Sequence, residues 1–122
     1  MEINLDFEEE PQILPILDRI ESGFPRTISV DRGWYFIIKE LDEALADLDP
    51  EYRVYQVSRE FGTLRYFCSL GDHRLARDLI REAQQVATRT CEKCGWPGMK
   101  LSTGQSVLCR FCLSLLRKQG LL

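Results

Sequence analysis

Four cysteines near the C-terminus set the tightest constraint on what this chain can fold into. They stand as Cys91-Glu92-Lys93-Cys94 and Cys109-Arg110-Phe111-Cys112, two CxxC pairs separated by 14 residues. Each CxxC puts two thiolates on one side of a tight turn, and two such turns supply the ligands of a tetrahedral ion from one short segment. The expectation is a single zinc ion held by Cys91, Cys94, Cys109 and Cys112. A set of four cysteines leaves no position for a substrate, so the zinc is read as structural and not catalytic. Gly95 follows the first pair, where a positive φ is often required, and Cys112 is expected on the first turn of a terminal helix running into Leu113-Ser114-Leu115-Leu116. The fifth cysteine, Cys68, falls in a strand pattern and reads as a small buried apolar residue.

The remainder of the 122 residues is long enough for a core, since a chain of this size buries roughly two-thirds of its unfolded surface. An apolar fraction of 44% and a charged fraction of 29% are ordinary for a globular domain. There is no run of about 18 apolar residues, so no membrane partner is expected. The opening Met1-Glu2-Ile3-Asn4-Leu5-Asp6 is acidic where an export signal would be basic and then apolar. A cytoplasmic, bacterial or phage-infected setting is expected, and a reducing compartment favours metal over disulfides.

Along the chain, Asp6-Phe7-Glu8-Glu9-Glu10 reads as a solvated acidic arm, and Ile13, Ile16, Leu17 and Ile20 form one face of a short helix ended by Ser22-Gly23-Phe24-Pro25. Thr27-Ile28-Ser29-Val30 predicts an edge strand. Trp34, Ile37, Ile38, Leu41, Leu45 and Leu48 make the apolar stripe of a long helix closed by Asp49-Pro50. Tyr52–Ser58 and Leu64–Cys68, around a glycine-bearing turn, predict a hairpin with Leu64, Tyr66 and Cys68 on one face and Arg65 and Phe67 on the other. A second long helix is expected over 73–87, capped by Asp72, with Leu75, Ala76, Leu79, Ala83, Val86 and Ala87 inward. The fold class is therefore α+β: a small antiparallel sheet packed with two to three helices, residues 1–88 forming the body and 89–122 a zinc ribbon docked on it.

Several of these phrases occur together elsewhere. Gly33-Trp34 opening a helix, Gln56-Val57-Ser58-Arg59-Glu60-Phe61-Gly62-Thr63-Leu64-Arg65-Tyr66, and Cys91-Glu92-Lys93-Cys94-Gly95-Trp96-Pro97-Gly98 resemble a group of small bacterial and phage-encoded proteins. That group carries a phrase close to Gln-Val-Lys-Glu-Lys-Phe-Gly-Gly-Leu-Arg-Phe-Tyr and a C-terminal Cys-x-x-Cys-Gly end. The likeness spans roughly residues 28–115 and implies a fold and a prokaryotic or phage setting, without a reaction. This chain departs from the phrase at Ser58, Arg59 and Thr63, so a role resting on a lysine there does not carry over.

Catalytic patterns are missing. There is no glycine-rich phosphate loop, nucleophile elbow or paired-acid spacing, and His73, the one histidine, reads as an exposed first-turn helix residue and not as a partner for Cys68. A non-enzymatic module is expected, its main partner another protein. A phage-encoded inhibitor or adaptor of a bacterial defence protein, or an immunity-type partner, fits the small size and acidic balance. The partner-binding candidates are Trp96, Pro97 and Met99 on the ribbon loop, with Arg59, Phe61 and Arg65 on the hairpin. Nucleic acid is the alternative partner. Residues 89–122 carry +5 while residues 1–25 carry −6 and 26–88 carry −2, and arginines among aromatics in the hairpin have the composition of a single-strand platform. A zinc ion with four thiolates lowers the ribbon's charge to about +3. The hairpin edge and the cluster Leu113, Leu115, Leu116, Leu121 and Leu122 offer surfaces for a homodimer.

Overall fold

The computed structural model describes residues 11–102 and 104–121. The acidic arm expected over 6–10 lies outside the described residues. In chain order the elements are α1 (Leu14–Arg19), β1 (Ile28–Ser29), α2 (Tyr35–Leu48) entered through a 3₁₀ turn at Arg32–Trp34, β2 (Val54–Glu60), β3 (Thr63–Cys68), α3 (Arg74–Ala87), β4 (Met99–Lys100), β5 (Val107–Leu108) and α4 (Arg110–Lys118). The class is α+β, with two small sheets ordered β1-β2-β3 and β4-β5.

The apolar stripe of α2 does what its spacing predicts. Trp34, Ile37, Ile38, Leu41 and Leu45 are all buried and share one core with Val54, Val57, Leu64 and Tyr66 of β2 and β3. The hairpin turn is tighter than expected. Only Phe61 and Gly62 separate the strands, both at positive φ (54° and 75°), which lets the turn follow the right-handed twist of its strands. The sheet is mixed: β2 and β3 are antiparallel, while β1 joins β2 in parallel, with Ile28 opposite Val57. That pairing follows from the intervening helix, because a strand returning after a helical crossover runs in the same direction as the first.

Two expectations about α3 need correction. Its N-cap is His73, not Asp72: the His73 ring nitrogen Nδ1 accepts a hydrogen bond from the Ala76 N–H at 3.4 Å. Leu75, expected inward, is 57% exposed. Ala76, Ala83 and Ala87 form the buried line of this helix, and Leu75 lies beyond the side that packs on α2 and β3.

A polar network threads the core. Asp42 sits on the inner side of α2, and its Oδ1 accepts from the Arg19 Nε at 2.8 Å and from the Tyr52 hydroxyl, while the Tyr66 hydroxyl lies 2.8 Å from that of Tyr52. Arg19 also stacks over the Tyr52 ring at 5.1 Å. Burial pushes the ionisation of both tyrosines well above the ordinary phenol range. In the unfolded chain the phenols ionise near pH 10, whereas the folded protein keeps them protonated, so their contribution to stability is complete below about pH 10 and lost above it. The tyrosines' share of the unfolding free energy, read by denaturant titration, is expected to fall above about pH 10, and Tyr52→Phe should flatten that part of the fall. An alkaline limb of equal slope in the variant would contradict this.

Candidate metal centre

The ribbon reaches its geometry by local backbone constraint. In the first turn the Cys91 N–H donates to the Trp96 carbonyl at 2.7 Å and the Gly95 N–H to the Cys91 carbonyl at 3.0 Å. Gly95 has a φ of +85°, a conformation that glycine takes without the penalty of a Cβ. A Cβ at Gly98 would lie 2.9 Å from the Leu108 backbone, so β4 can enter its ladder only behind a glycine. In the second turn Cys109 is the N-cap of α4, and its Sγ accepts from the Cys112 N–H at 3.3 Å.

These turns bring Cys91, Cys94, Cys109 and Cys112 together, with all four sulfurs within 4.8 Å of one another. All are free thiols, and the 3.7 Å between the sulfurs of Cys94 and Cys109 is far from the length of about 2.05 Å of a disulfide. A tetrahedral ion with bonds of about 2.3 Å to thiolate requires sulfurs about 3.8 Å apart, so the four residues fit one metal ion. Burial pushes the Cys94 and Cys112 thiols up. The Cys112 N–H draws Cys109 down to about 7, as suits a residue that would bind a metal in its thiolate form. Cys68 stands apart, buried in β3.

The centre is tied to the body by contacts that no motif announces. Glu92, between the first two cysteines, is 3% exposed. Its Oε1 lies 2.6 Å from Arg59 Nε of the hairpin, its Oε2 accepts from the Val107 N–H at 2.7 Å, and its backbone exchanges bonds with Val107 and Gly33 at 2.9 and 2.8 Å. Arg59 also donates to the Gln105 carbonyl. A Cβ at Gly33 would sit 2.2 Å from the Cys91 carbonyl oxygen, so only glycine permits this approach. The buried Trp34 Nε1 donates to the Thr90 carbonyl at 2.9 Å, and Val107 belongs to the body's core. The sequence signals were present but ambiguous: an acid inside a CxxC usually reads as solvated, and Gly33-Trp34 as a helix start.

The partner-binding candidates divide. Trp96, Pro97, Met99 and Phe61 are exposed. Arg59 is engaged with Glu92 and Gln105, and Arg65 lies 3.3 Å from Glu60 and 5.4 Å over the Phe67 ring. Arg53, the third hairpin arginine, pairs with Glu21 at 3.1 Å.

Glu92→Gln is expected to cost about 1–3 kcal/mol by leaving the Arg59 guanidinium without its carboxylate. It should also weaken metal affinity by roughly 10- to 100-fold, because the residue orients the ligands on either side. Chelator competition alongside chemical denaturation checks both, and unchanged metal affinity would contradict the link.

Comparison of the chain with family models, curated proteins and solved structures gives no match. Among the described residues no helix is long and apolar enough to cross a membrane.

Proposed function

We propose that the chain is a non-catalytic zinc module that binds another protein, acting as an inhibitor or adaptor in a prokaryotic or phage setting. Zinc is the natural occupant of four thiolates in a tetrahedral arrangement, with an iron–sulfur centre the other chemistry such ligands serve. The observation that carries the binding role is the exposure of large apolar side chains around the metal centre: Trp96 at 70%, Met99 at 72% and Phe111 at 67%. Trp96 and Phe111 sit on the turns that hold the cysteines, so the fastening of the ribbon also fixes their positions. Preorganised aromatic anchors of this kind dominate the energetics of protein interfaces.

Nucleic-acid binding is the second reading, and it rests on the basic ribbon. The pairing of Arg53, Arg59 and Arg65 with Glu21, Glu92 and Glu60 takes from it the arginine platform expected on the hairpin. Capture of a single partner from bacterial lysate, resistant to nuclease and lost on replacing Trp96 and Met99 by alanine in protein that keeps its metal, would support the first reading. Capture that disappears with nuclease, or oligonucleotide binding with a steep loss in salt, would support the second.

A further inference from the structure

Most cations of the body are paired, whereas most of those on the ribbon are not. In the body, Arg19, Lys39, Arg53, Arg65 and Arg81 each meet a carboxylate. On the ribbon, Lys93 reaches Asp31 at 3.0 Å, but among the described residues the side chains of Lys100, Arg110, Arg117 and Lys118 make neither a hydrogen bond nor an ion pair. Three of these four, Lys100, Arg110 and Arg117, rim one cleft of about 460 Å³ between the β4-β5 sheet and α4. Its apolar lining is Leu101, Leu108 and Leu113 with the exposed Met99 at the edge, beside Ser102 and Gln105, and among the described residues no acid lines it.

From this we infer that the cleft is the docking site for a segment of a partner protein that carries carboxylates beside one or two aliphatic side chains. The inference rests on the protein-binding reading above and names the chemistry of the partner. Unpaired guanidinium and ammonium groups around an apolar lining complement a segment of that composition, since the carboxylates meet the rim as apolar side chains meet the lining. A single-stranded nucleic acid would want rings on which to stack its bases, and the cleft lining has none. A second copy of the chain is also a poor occupant. Among the described residues, its acid-bearing apolar surfaces, one lined by Phe36, Leu41, Leu79 and Val86 with Glu40 and Glu82 and one by Leu48, Leu75 and Leu79 with Asp78 and Glu82, are themselves clefts, and two concave surfaces do not fill one another.

The test uses the full chain loaded with zinc, isotope-labelled for amide shift mapping, and short synthetic peptides. One peptide alternates aspartate or glutamate with leucine, one has serine in place of leucine, and a thymidine oligonucleotide serves as the competing polyanion. The leucine peptide should shift the amides of residues 99–101 and 110–117. Its affinity should fall roughly tenfold or more in Arg117→Glu, several-fold with the serine peptide, and not at all in Arg81→Ala, an exposed position on α3 outside the cleft. Metal content and the unperturbed body amides report that each variant is folded. Absence of shifts at low salt overturns the inference. So does displacement of the peptide by the oligonucleotide at equal concentration, or concentration-dependent self-association mapping to the same amides. If a natural partner is captured through Trp96 but is indifferent to Arg117→Glu, the adaptor reading survives and this cleft is not its site. If the peptide binds as described while no partner depends on Trp96, the cleft stands and the Trp96 surface falls.

Discussion

Replacing Cys109 by serine is expected to release the metal and unfold the ribbon as a unit. Its sulfur belongs to the cluster of four that could hold a metal and is also the acceptor that caps α4. A serine hydroxyl is not ionised at neutral pH and is a poor partner for a thiolate-binding ion. What would remain is two strands of two residues and a helix of nine, too short to persist without the metal, because an isolated hairpin or a helix below about 12 residues is marginal in water. Structural zinc contributes about 10–16 kcal/mol of apparent binding free energy in such segments. The body should suffer as well. Val107 would leave the core, at a cost of about 1.5–3 kcal/mol, and Trp34 would lose the carbonyl its indole N–H bonds. A fall in melting temperature of about 10 °C, with metal content near zero, is expected for Cys109→Ser. Cys68→Ser, outside the cluster, should keep its metal. An unchanged melt in Cys109→Ser would show that the ribbon does not support the body.

The second large effect is expected at Asp42. Removing its carboxylate by Asp42→Ala leaves the Arg19 guanidinium half-buried and takes the acceptor from a Tyr52 hydroxyl that is wholly inside the core. Breaking a buried ion pair from one side costs about 3–5 kcal/mol, since the stranded partner keeps its desolvation penalty. Of a domain's typical 5–15 kcal/mol, this is a large fraction. Chemical denaturation should show the midpoint shifting at constant slope. Double replacement of Asp42 and Arg19 by apolar residues should recover part of the loss, whereas a loss below about 1 kcal/mol for Asp42→Ala would mean the network contributes little.

The features legible in the sequence share one property: each depends on residues close together along the chain. CxxC spacing is a local geometric requirement, so all four clustered cysteines could be named. Alternation in Leu64-Arg65-Tyr66-Phe67-Cys68 is local too, and the strand buries the faces it predicts. What escaped depends on distant pairing. Arg59 and Glu92 are 33 residues apart in numbering, and nothing near either one says that they meet. Ile28 pairs with Val57 across an entire helix. Leu75 fits the apolar period of α3, but the period does not say how far its neighbours extend, and that is what leaves this side chain in water. Asp42 was closer to legible. It stands four residues after Ile38 and three before Leu45, on the buried stripe of α2, where a carboxylate requires a partner.

The fold places the four-cysteine cluster where a bound metal would act as a fastening, fixing the ribbon against the Gly33-Trp34 corner and the hairpin and so positioning the Trp96 turn and the basic cleft. The most direct test is the metal content of the full chain purified without chelator, read by native mass spectrometry together with elemental analysis. One zinc per chain, lost in Cys94→Ser and Cys109→Ser, is the predicted result. Well under one equivalent in folded protein, or iron in its place, would contradict the account.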